Sequence, residues 1–444
     1  MEQKEIDKRM AQVDKFLDVA NADLHIHTTI SDGKNSFYDI VDASHQINQG
    51  EGAVEIIAVT DHDNLGNKKG VNEFARNINP NNSNNVDNYT FFFVEGVGNE
   101  KGDKSTTVII PGAEVSSRIN VDGKTYPIHT TIYGASRSNN LSYSKVVQTS
   151  NFTQSKIKEN KKLSVVALLN KKYRTNIPLN DVVDEKGNVT EYGAKSIIKE
   201  YEKNGSLSTT NLDFGSLTMF GVNLLMNKFG DRIDHKKTQK AVADLIENES
   251  VFRKNFSIDF NGLAKCVHDA GGMITWAHPK TTIVKDPNAN IVGMLNNLLE
   301  NGLDAIETVY NKNDVSNTAF DVASRSVIKN GYKGRKIFTS GGSDLHSLSR
   351  ADIGHIRNTS IHAKDLSIVR ELIERDFQRD EKTKFQDSKE TIQFAQNVRE
   401  KSERVLSEFD SILSNFPDVL PNNSFVDGMA SLNLHMLEHD VVMN

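Results

Sequence analysis

Lys336-Ile337-Phe338-Thr339-Ser340-Gly341-Gly342-Ser343-Asp344-Leu345-His346 joins an apolar run to a carboxylate and an imidazole. Its start, Lys336 to Thr339, reads as a short buried strand. The run breaks at two glycines and then presents Asp344 and His346 two residues apart. Alternate residues of an extended chain point the same way, so a carboxylate and an imidazole would face one spot at the strand's end. A lone D-x-H is more often incidental than functional. Here six other strand-like runs carry or end in His, Asp or Glu in the same manner, and the joint occurrence is what counts.

Working backwards, Met273 to Ala277 is a strand ending in His278-Pro279, and Ala305 to Tyr310 is a strand containing Glu307. Near the start, Ala22 to His27 alternates cleanly, with Asp23, His25 and His27 expected on one face and Leu24 and Ile26 on the other. Val54 to Thr60 ends in Asp61-His62-Asp63-Asn64, and Thr107 to Ile110 leads through Pro111-Gly112 to Glu114. Asp122-Gly123 is a hairpin signal that returns the chain along Tyr126 to Tyr133, with His129 inside that strand. Seven strands, most followed by a helix, favour a barrel or an open α/β sheet. Polar groups converging from many strand ends favour the barrel, because a closed ring aims them at one point.

Helical patterning leads in with Ile6, Met10, Val13, Phe16 and Leu17 and recurs over Phe37 to Ile47. Asn77 to Asn88, rich in asparagine, reads as an exposed loop. Residues 1–135 and 257–364 are expected to form the barrel, and 136–256 an inserted, mostly helical subdomain that covers the substrate. Within that insert, Ile157 to Leu169, Ala194 to Tyr201 and Thr238 to Ile246 read as helices. Residues 365–444 read as a helical C-terminal extension whose stripes, Leu366, Val369, Leu372 and Ile373 first, pack on the barrel or pair two copies of the chain.

Composition limits the function. A net charge of −6 gives no global basic field, so any nucleic-acid contact is local. A single cysteine, Cys266, excludes an internal disulfide framework and suits a reducing compartment. Charges in Met1 to Glu5 do not suit a signal peptide, and no apolar run is long enough to span a membrane. A cytoplasmic protein is expected.

The candidate ligands are His25, His27, Asp32, His62, Glu114, His129, His278, Asp344 and His346. Six imidazoles and three carboxylates without a thiolate suit Mn²⁺, Fe²⁺ or Zn²⁺, with Mn²⁺ favoured. At roughly four to six ligands per ion, two or three divalent ions fit. Blander readings exist for each member. The TDHD segment could cap a helix, Glu114 could pair with Arg118, and Asp32 before Gly33 could be an ordinary turn residue. His45, His235, His268 and His362 read as surface or helix residues, with His355 an outside candidate behind the last motif. His435-Met436-Leu437-Glu438-His439 matches an inverted zinc-protease pattern but leaves no room downstream for a third ligand.

Taken together, D-L-H-I-H-T with S-D-G, T-D-H-D, G-A-E, the His129 strand, A-H-P and G-S-D-L-H resemble the successive motifs of the PHP (polymerase and histidinol phosphatase) phosphoesterases, over Asp23 to about His355. The resemblance implies a distorted seven-stranded (β/α) barrel of TIM-like form with a trinuclear metal site at the strand C-termini. On matching positions it implies that His25, His27, Glu114 and Asp344 hold one metal. Glu114 would bridge to a second, also held by His129 and His278, and Asp32, His62 and His346 would hold the third. The insert resembles the branch acting on nucleotide phosphates and RNA 5′ ends, in which arginines of the insert contact phosphate. This chain offers Lys161, Lys162 and Lys195, with Arg174 nearby, and Trp276 stands where that family has a small or aliphatic residue.

The expected function is a metal-dependent phosphoesterase acting on nucleotides or oligonucleotide ends. Asp32, His62, Glu114 and His346 would act through a hydroxide formed on the metals, with Asp63 orienting a ligand histidine. Arg118, Lys280 and Arg350 flank ligand motifs and are candidate phosphate contacts, beside Lys161, Lys162 and Lys195. Three other readings stay open: a small-metabolite phosphomonoesterase of histidinol-phosphatase type, an amidohydrolase, and a non-catalytic scaffold. The partner is then a small phosphorylated substrate or a short nucleic-acid end, without a membrane, and the helical tail is a candidate homo-oligomer contact.

Overall fold

The computed structural model describes residues 3–47, 54–65, 92–95, 106–173, 214–229, 234–253, 255–310, 317–348, 353, 355–356, 359–378 and 384–413. Outside them lie the expected helix at Ala194 to Tyr201, the loop at Asn77 to Asn88, Arg174, Lys195, Arg350 and the HMLEH segment.

Nine strands share one sheet: β1 (Asn21–Ile26), β2 (Val54–Val59), β3 (Phe92–Glu95), β4 (Thr106–Val121), β5 (Lys124–Tyr133), β6 (Ile258–Asp259), β7 (Met273–Trp276), β8 (Ala305–Val309) and β9 (Phe338–Gly341). The helices are α1 (Gln3–Leu17), α2 (Phe37–Ile47), α3 (Ser142–Tyr173), α4 (Phe214–Phe229), α5 (His235–Glu247), α6 (Phe260–Asp269), α7 (Thr281–Lys285), α8 (Ile291–Glu300), α9 (Thr318–Asn330), α10 (Ser367–Gln378) and α11 (Lys389–Leu413). Side-chain caps start several of them. Asp234, Asn290 and Asn317 accept from the backbone N–H groups of Lys237, Gly293 and Phe320.

The chain divides into two compact units. The first is Met1–Phe152 with Phe256–Ser402, and the second is Thr153–Asn255 with Glu403–Asn444. The division therefore falls inside α3 and α11, whereas the sequence placed boundaries near 136, 257 and 365. In the second unit the described residues are helical, and Val165, Leu169, Leu217, Phe220, Leu224, Val242 and Ile246 are buried.

The first unit carries the sheet. Its main path runs β1-β2-β4-β5-β7-β8-β9, with β3 and β6 on β4. These seven path strands are the seven read from the sequence. The closed barrel of parallel strands is not what forms. Along the path two pairings, β4 with β5 and β5 with β7, are antiparallel, because the Asp122-Gly123 turn sends the chain straight back. Among the described residues no ladder joins β9 to β1, whose ends meet through a single parallel bridge between Ile26 and Leu345. Past β9 the chain turns at Asp344 (φ 54°), and Leu345 beyond it accepts from the His27 backbone N–H at 2.9 Å and donates to the His25 carbonyl at 3.2 Å.

Ala22, Leu24, Ile56, Ala58, Val108, Ile110, Met273, Ala305 and Phe338 fill one apolar cluster. Ile6, Met10 and Leu17 of α1 enter the same cluster, as do Ile368, Val369, Leu372 and Ile373 of α10. The Leu366 stripe thus packs on the sheet of its own chain, each large side chain contributing about 1.5–3 kcal/mol. A second cluster joins Ile26, Ile57, Val59 and Ile109 to Phe37, Ile40 and Val41 of α2.

Leu24 and Ile26 therefore lie in different clusters, against the expected alternation. The register of β1 on β2 slips by one residue between Asp23 and Ile26. Such a bulge turns two successive residues, Leu24 and His25, to the inner side. Asp23 falls on the other side, where it accepts from the backbone N–H (2.9 Å) and hydroxyl (2.6 Å) of Ser343.

Candidate metal centre

All nine ligand candidates meet in the first unit. His25 and His27 end β1, His62 follows β2, Glu114 lies in β4, His129 in β5, His278 follows β7, and Asp344 and His346 follow β9. They form four overlapping groups whose ligand atoms lie within 4.8 Å of one another: His27, Asp32, His62 and His346; His25, His27 and Asp344; His25, Glu114 and His278; His62, Glu114 and His129.

Glu114 is the hub. Its Oε2 lies 3.3 Å from His25 Nε2, 3.3 Å from His27 Nε2 and 3.0 Å from His62 Nδ1. Its Oε1 lies 2.9 Å from both His129 Nδ1 and His278 Nε2. Arg118, two strand repeats further along the same face of β4, makes no ion pair with it. Asp32 forms a second focus, with Oδ2 3.6 Å from His62 Nε2 and 3.3 Å from His346 Nε2, and Oδ1 3.6 Å from His27 Nδ1. Asp344 Oδ1 sits 3.3 Å from His27 Nε2 and 3.7 Å from His25 Nε2.

The backbone brings these groups close at a cost. His278 (φ 29°) and Asp344 (φ 54°) both adopt left-handed conformations that are uncommon without glycine. Gly342 lies so near β1 that a Cβ there would meet His25 Cβ at 2.4 Å, and one at Gly33 would sit 2.3 Å from the His27 carbonyl oxygen. Both loops need glycine for close approach rather than for turning.

Other carboxylates fix the ligands. Glu307, 1% exposed, puts Oε1 3.1 Å from His25 Nδ1 and accepts from the His278 backbone N–H at 2.5 Å. With Nδ1–H donated to Glu307, His25 keeps a lone pair on Nε2 facing Glu114 and Asp344. Asp61 accepts from the Thr28 backbone (2.7 Å), the Thr28 hydroxyl (2.8 Å) and the Ser31 hydroxyl (2.6 Å), tying down the loop that carries Asp32. Asp63, expected behind a ligand histidine, instead accepts from the Ser116 backbone N–H (3.1 Å) and the Ser150 hydroxyl (2.8 Å).

Burial would raise the Glu114 carboxyl, yet His62, His129 and His25 hold it well below the usual carboxylate range. Asp32 and Asp344 are lowered too, by His346 and His27 above all, against the cost of removal from water. Burial works against a proton on His27, but the Asp344 and Glu114 carboxylates, each 3.3 Å from its Nε2, push it up to about 10. The cluster is a site of concentrated negative charge that draws cations, protons included.

A metal fits these residues on one observation in particular. His25 Nε2, His27 Nε2, His62 Nδ1 and Glu114 Oε2 are buried and make no hydrogen bond, an arrangement costing about 1–3 kcal/mol per atom unless a ligand is bound. Two donors each about 2.1 Å from one ion lie roughly 3.0–3.4 Å apart, the separation seen around Glu114 Oε2. Imidazole and carboxylate donors without thiolate suit a divalent first-row ion.

The substrate candidates are dispersed. Lys280 is 3% exposed and its ammonium pairs with Asp321 of α9 at 2.8 Å. Arg118 is partly buried, and its Nε has no hydrogen-bond partner. Lys161 and Lys162 belong to the second unit, where Lys161 donates to Asn255 at 3.1 Å and burial lowers it to about 8. Trp276 is buried against Phe320 (ring centroids 5.6 Å apart), which explains its tolerance in β7. His268 pairs with Asp304 at the surface.

Neither a family model nor a curated protein matches the sequence. Among solved structures, a protein assigned as a metal-dependent phosphoesterase from Bifidobacterium adolescentis is 15% identical, with a TM-score of 0.45, covering 80% of this chain and 96% of its own. An amidohydrolase from Chromobacterium violaceum, solved with sulfate and no metal, is 16% identical with a TM-score of 0.43, covering 80% and 97%. No helix of the described residues is long and apolar enough to cross a membrane.

Proposed function

We propose that this chain is a metal-dependent phosphoesterase acting on nucleotides or oligonucleotide ends, with two or three divalent ions, Mn²⁺ first, held by the nine residues. The supporting observation is the set of orphaned, buried donor atoms converging on Glu114. Bound there, the ions would supply Lewis acidity and an acidified water. Glu114 would join two ion positions, since its two oxygens face different imidazoles. The Asp32, His62 and His346 group would hold the outermost ion, because His346 is 36% exposed while His25 is fully buried. Glu307 keeps His25 in the tautomer that leaves Nε2 free. No nucleophilic side chain is needed.

Elemental analysis of the purified protein, paired with a phosphate-release panel, tests the reading. Mononucleotides, short 5′-phosphorylated RNA and histidinol phosphate are compared with Mn²⁺ and after chelation. Release from nucleotides or RNA that chelation stops is expected. Release from histidinol phosphate alone would reassign the substrate, and metal-independent release would end the proposal. His62→Ala and Asp344→Asn should abolish turnover while the circular dichroism spectrum is kept.

A further inference from the structure

The segment that follows β7, His278-Pro279-Lys280-Thr281, is held along its length. The His278 backbone N–H donates to Glu307, and the Lys280 backbone N–H donates to the Tyr310 hydroxyl at 2.9 Å. The Lys280 ammonium pairs with Asp321 at 2.8 Å, and the Thr281 backbone N–H returns to the His278 carbonyl at 3.0 Å. These bonds brace a turn whose first residue, His278, is left-handed (φ 29°). They also bring the Thr281 side chain back beside the His278 ring.

There the Thr281 Oγ1 makes two contacts. It donates to the His278 carbonyl at 2.9 Å and lies 3.1 Å from His278 Nδ1. A hydroxyl has one proton to give. With that proton on the carbonyl, the oxygen accepts from Nδ1–H and leaves a lone pair on Nε2, which lies 2.9 Å from Glu114 Oε1. Turned the other way, the hydroxyl would donate to Nδ1, and the ring proton would sit on Nε2 and go to Glu114. His25 and His346 are given no such choice. The Glu307 carboxylate behind His25 (3.1 Å) and the Asp344 carbonyl behind His346 (2.8 Å) can only accept.

We propose that Thr281 is a positioning residue for His278. Its hydroxyl anchors Nδ1 and, by giving its own proton to the carbonyl, lets the ring offer Nε2 to a divalent ion. The part in ion binding rests on the proposed metal centre, whereas the hold on the ring does not. Without the hydroxyl, Nδ1–H loses this acceptor whenever Nε2 holds a cation, and a partner of that kind is worth about 10–100-fold in metal affinity.

Thr281→Val and Thr281→Ser in the full-length chain test it by two measurements. In metal-free protein carrying ¹⁵N-labelled histidine, the His278 Nδ1 resonance should move in the valine variant and return to its wild-type position in the serine variant. With Zn²⁺ added, chelator competition should show one ion held about 10–100-fold more weakly in the valine variant and as tightly as wild type in the serine variant. A resonance unmoved by valine, or moved equally by both replacements, overturns the anchoring. Equal ion affinity in all three proteins overturns the role in ion binding. A chain that takes up no ion in any form refutes the metal centre instead, and the metal-free spectra still decide whether Thr281 anchors the ring. Thr281→Ala stands in, with the same expectations, if the valine variant does not fold.

Discussion

The two carboxylate foci of the site differ in a way that separates holding from exchange. Glu114 is fully buried and faces five imidazoles, two through Oε1 and three through Oε2. Asp32 faces three, and one of these, His346, is more than a third exposed. Buried charge must be matched by fixed partners, and Asp32, its side chain only 2% exposed, differs from Glu114 in having a partner, His346, that is itself open to solvent. On the proposed function, the Glu114 side would retain ions, and the Asp32 side, through His346, would exchange one with solvent.

The largest effect that could break this contrast is Glu114→Gln. It should strip all bound metal and reduce phosphate release to the uncatalysed background, as read by elemental analysis and turnover together. Asp32→Asn should lose one ion equivalent and keep the rest, with turnover reduced but metal content above zero. Equal metal loss in both variants would erase the distinction. Glu307→Gln is smaller still. It leaves every ligand in place, and about 10–100-fold weaker metal binding is expected from loosening His25 and His278, measured by chelator competition.

Acidity sharpens the same contrast. In metal-free protein the raised His27 contributes stability fully present below its unfolded value near 6.5 and lost as pH rises through about 10. The melting temperature of chelated protein should therefore fall between pH 6.5 and 10. Metal-loaded protein should show a flatter profile, because ions replace the protons. Parallel profiles would contradict the placement of His27 between Glu114 and Asp344.

Much of this site was legible in the sequence because ligands at strand ends leave short polar signatures after apolar runs. His25, His62, His278 and His346 all carry that mark. Glu307 was marked inside its strand but its role was not, since a single glutamate there has no spacing to tie it to a histidine, and only the fold brings it 3.1 Å from His25. Asp61 was hidden inside TDHD, where helix capping was an equally good reading. The bulge in β1 was invisible because D-L-H-I-H alternates perfectly as text, and register belongs to the partner strand. Among the described residues the one bridge between the β9 end and β1, Leu345 with Ile26, follows a left-handed backbone angle at Asp344 that composition does not encode.

That angle has a consequence for anyone who evolves or engineers this chain. A non-glycine residue held in a left-handed conformation carries a penalty of about 1–3 kcal/mol, so Asp344→Gly should relieve the backbone while deleting a proposed ligand. Selection for heat resistance alone, without a screen for turnover, would be drawn to this position early. The most robust descendants would then be well-folded and inert.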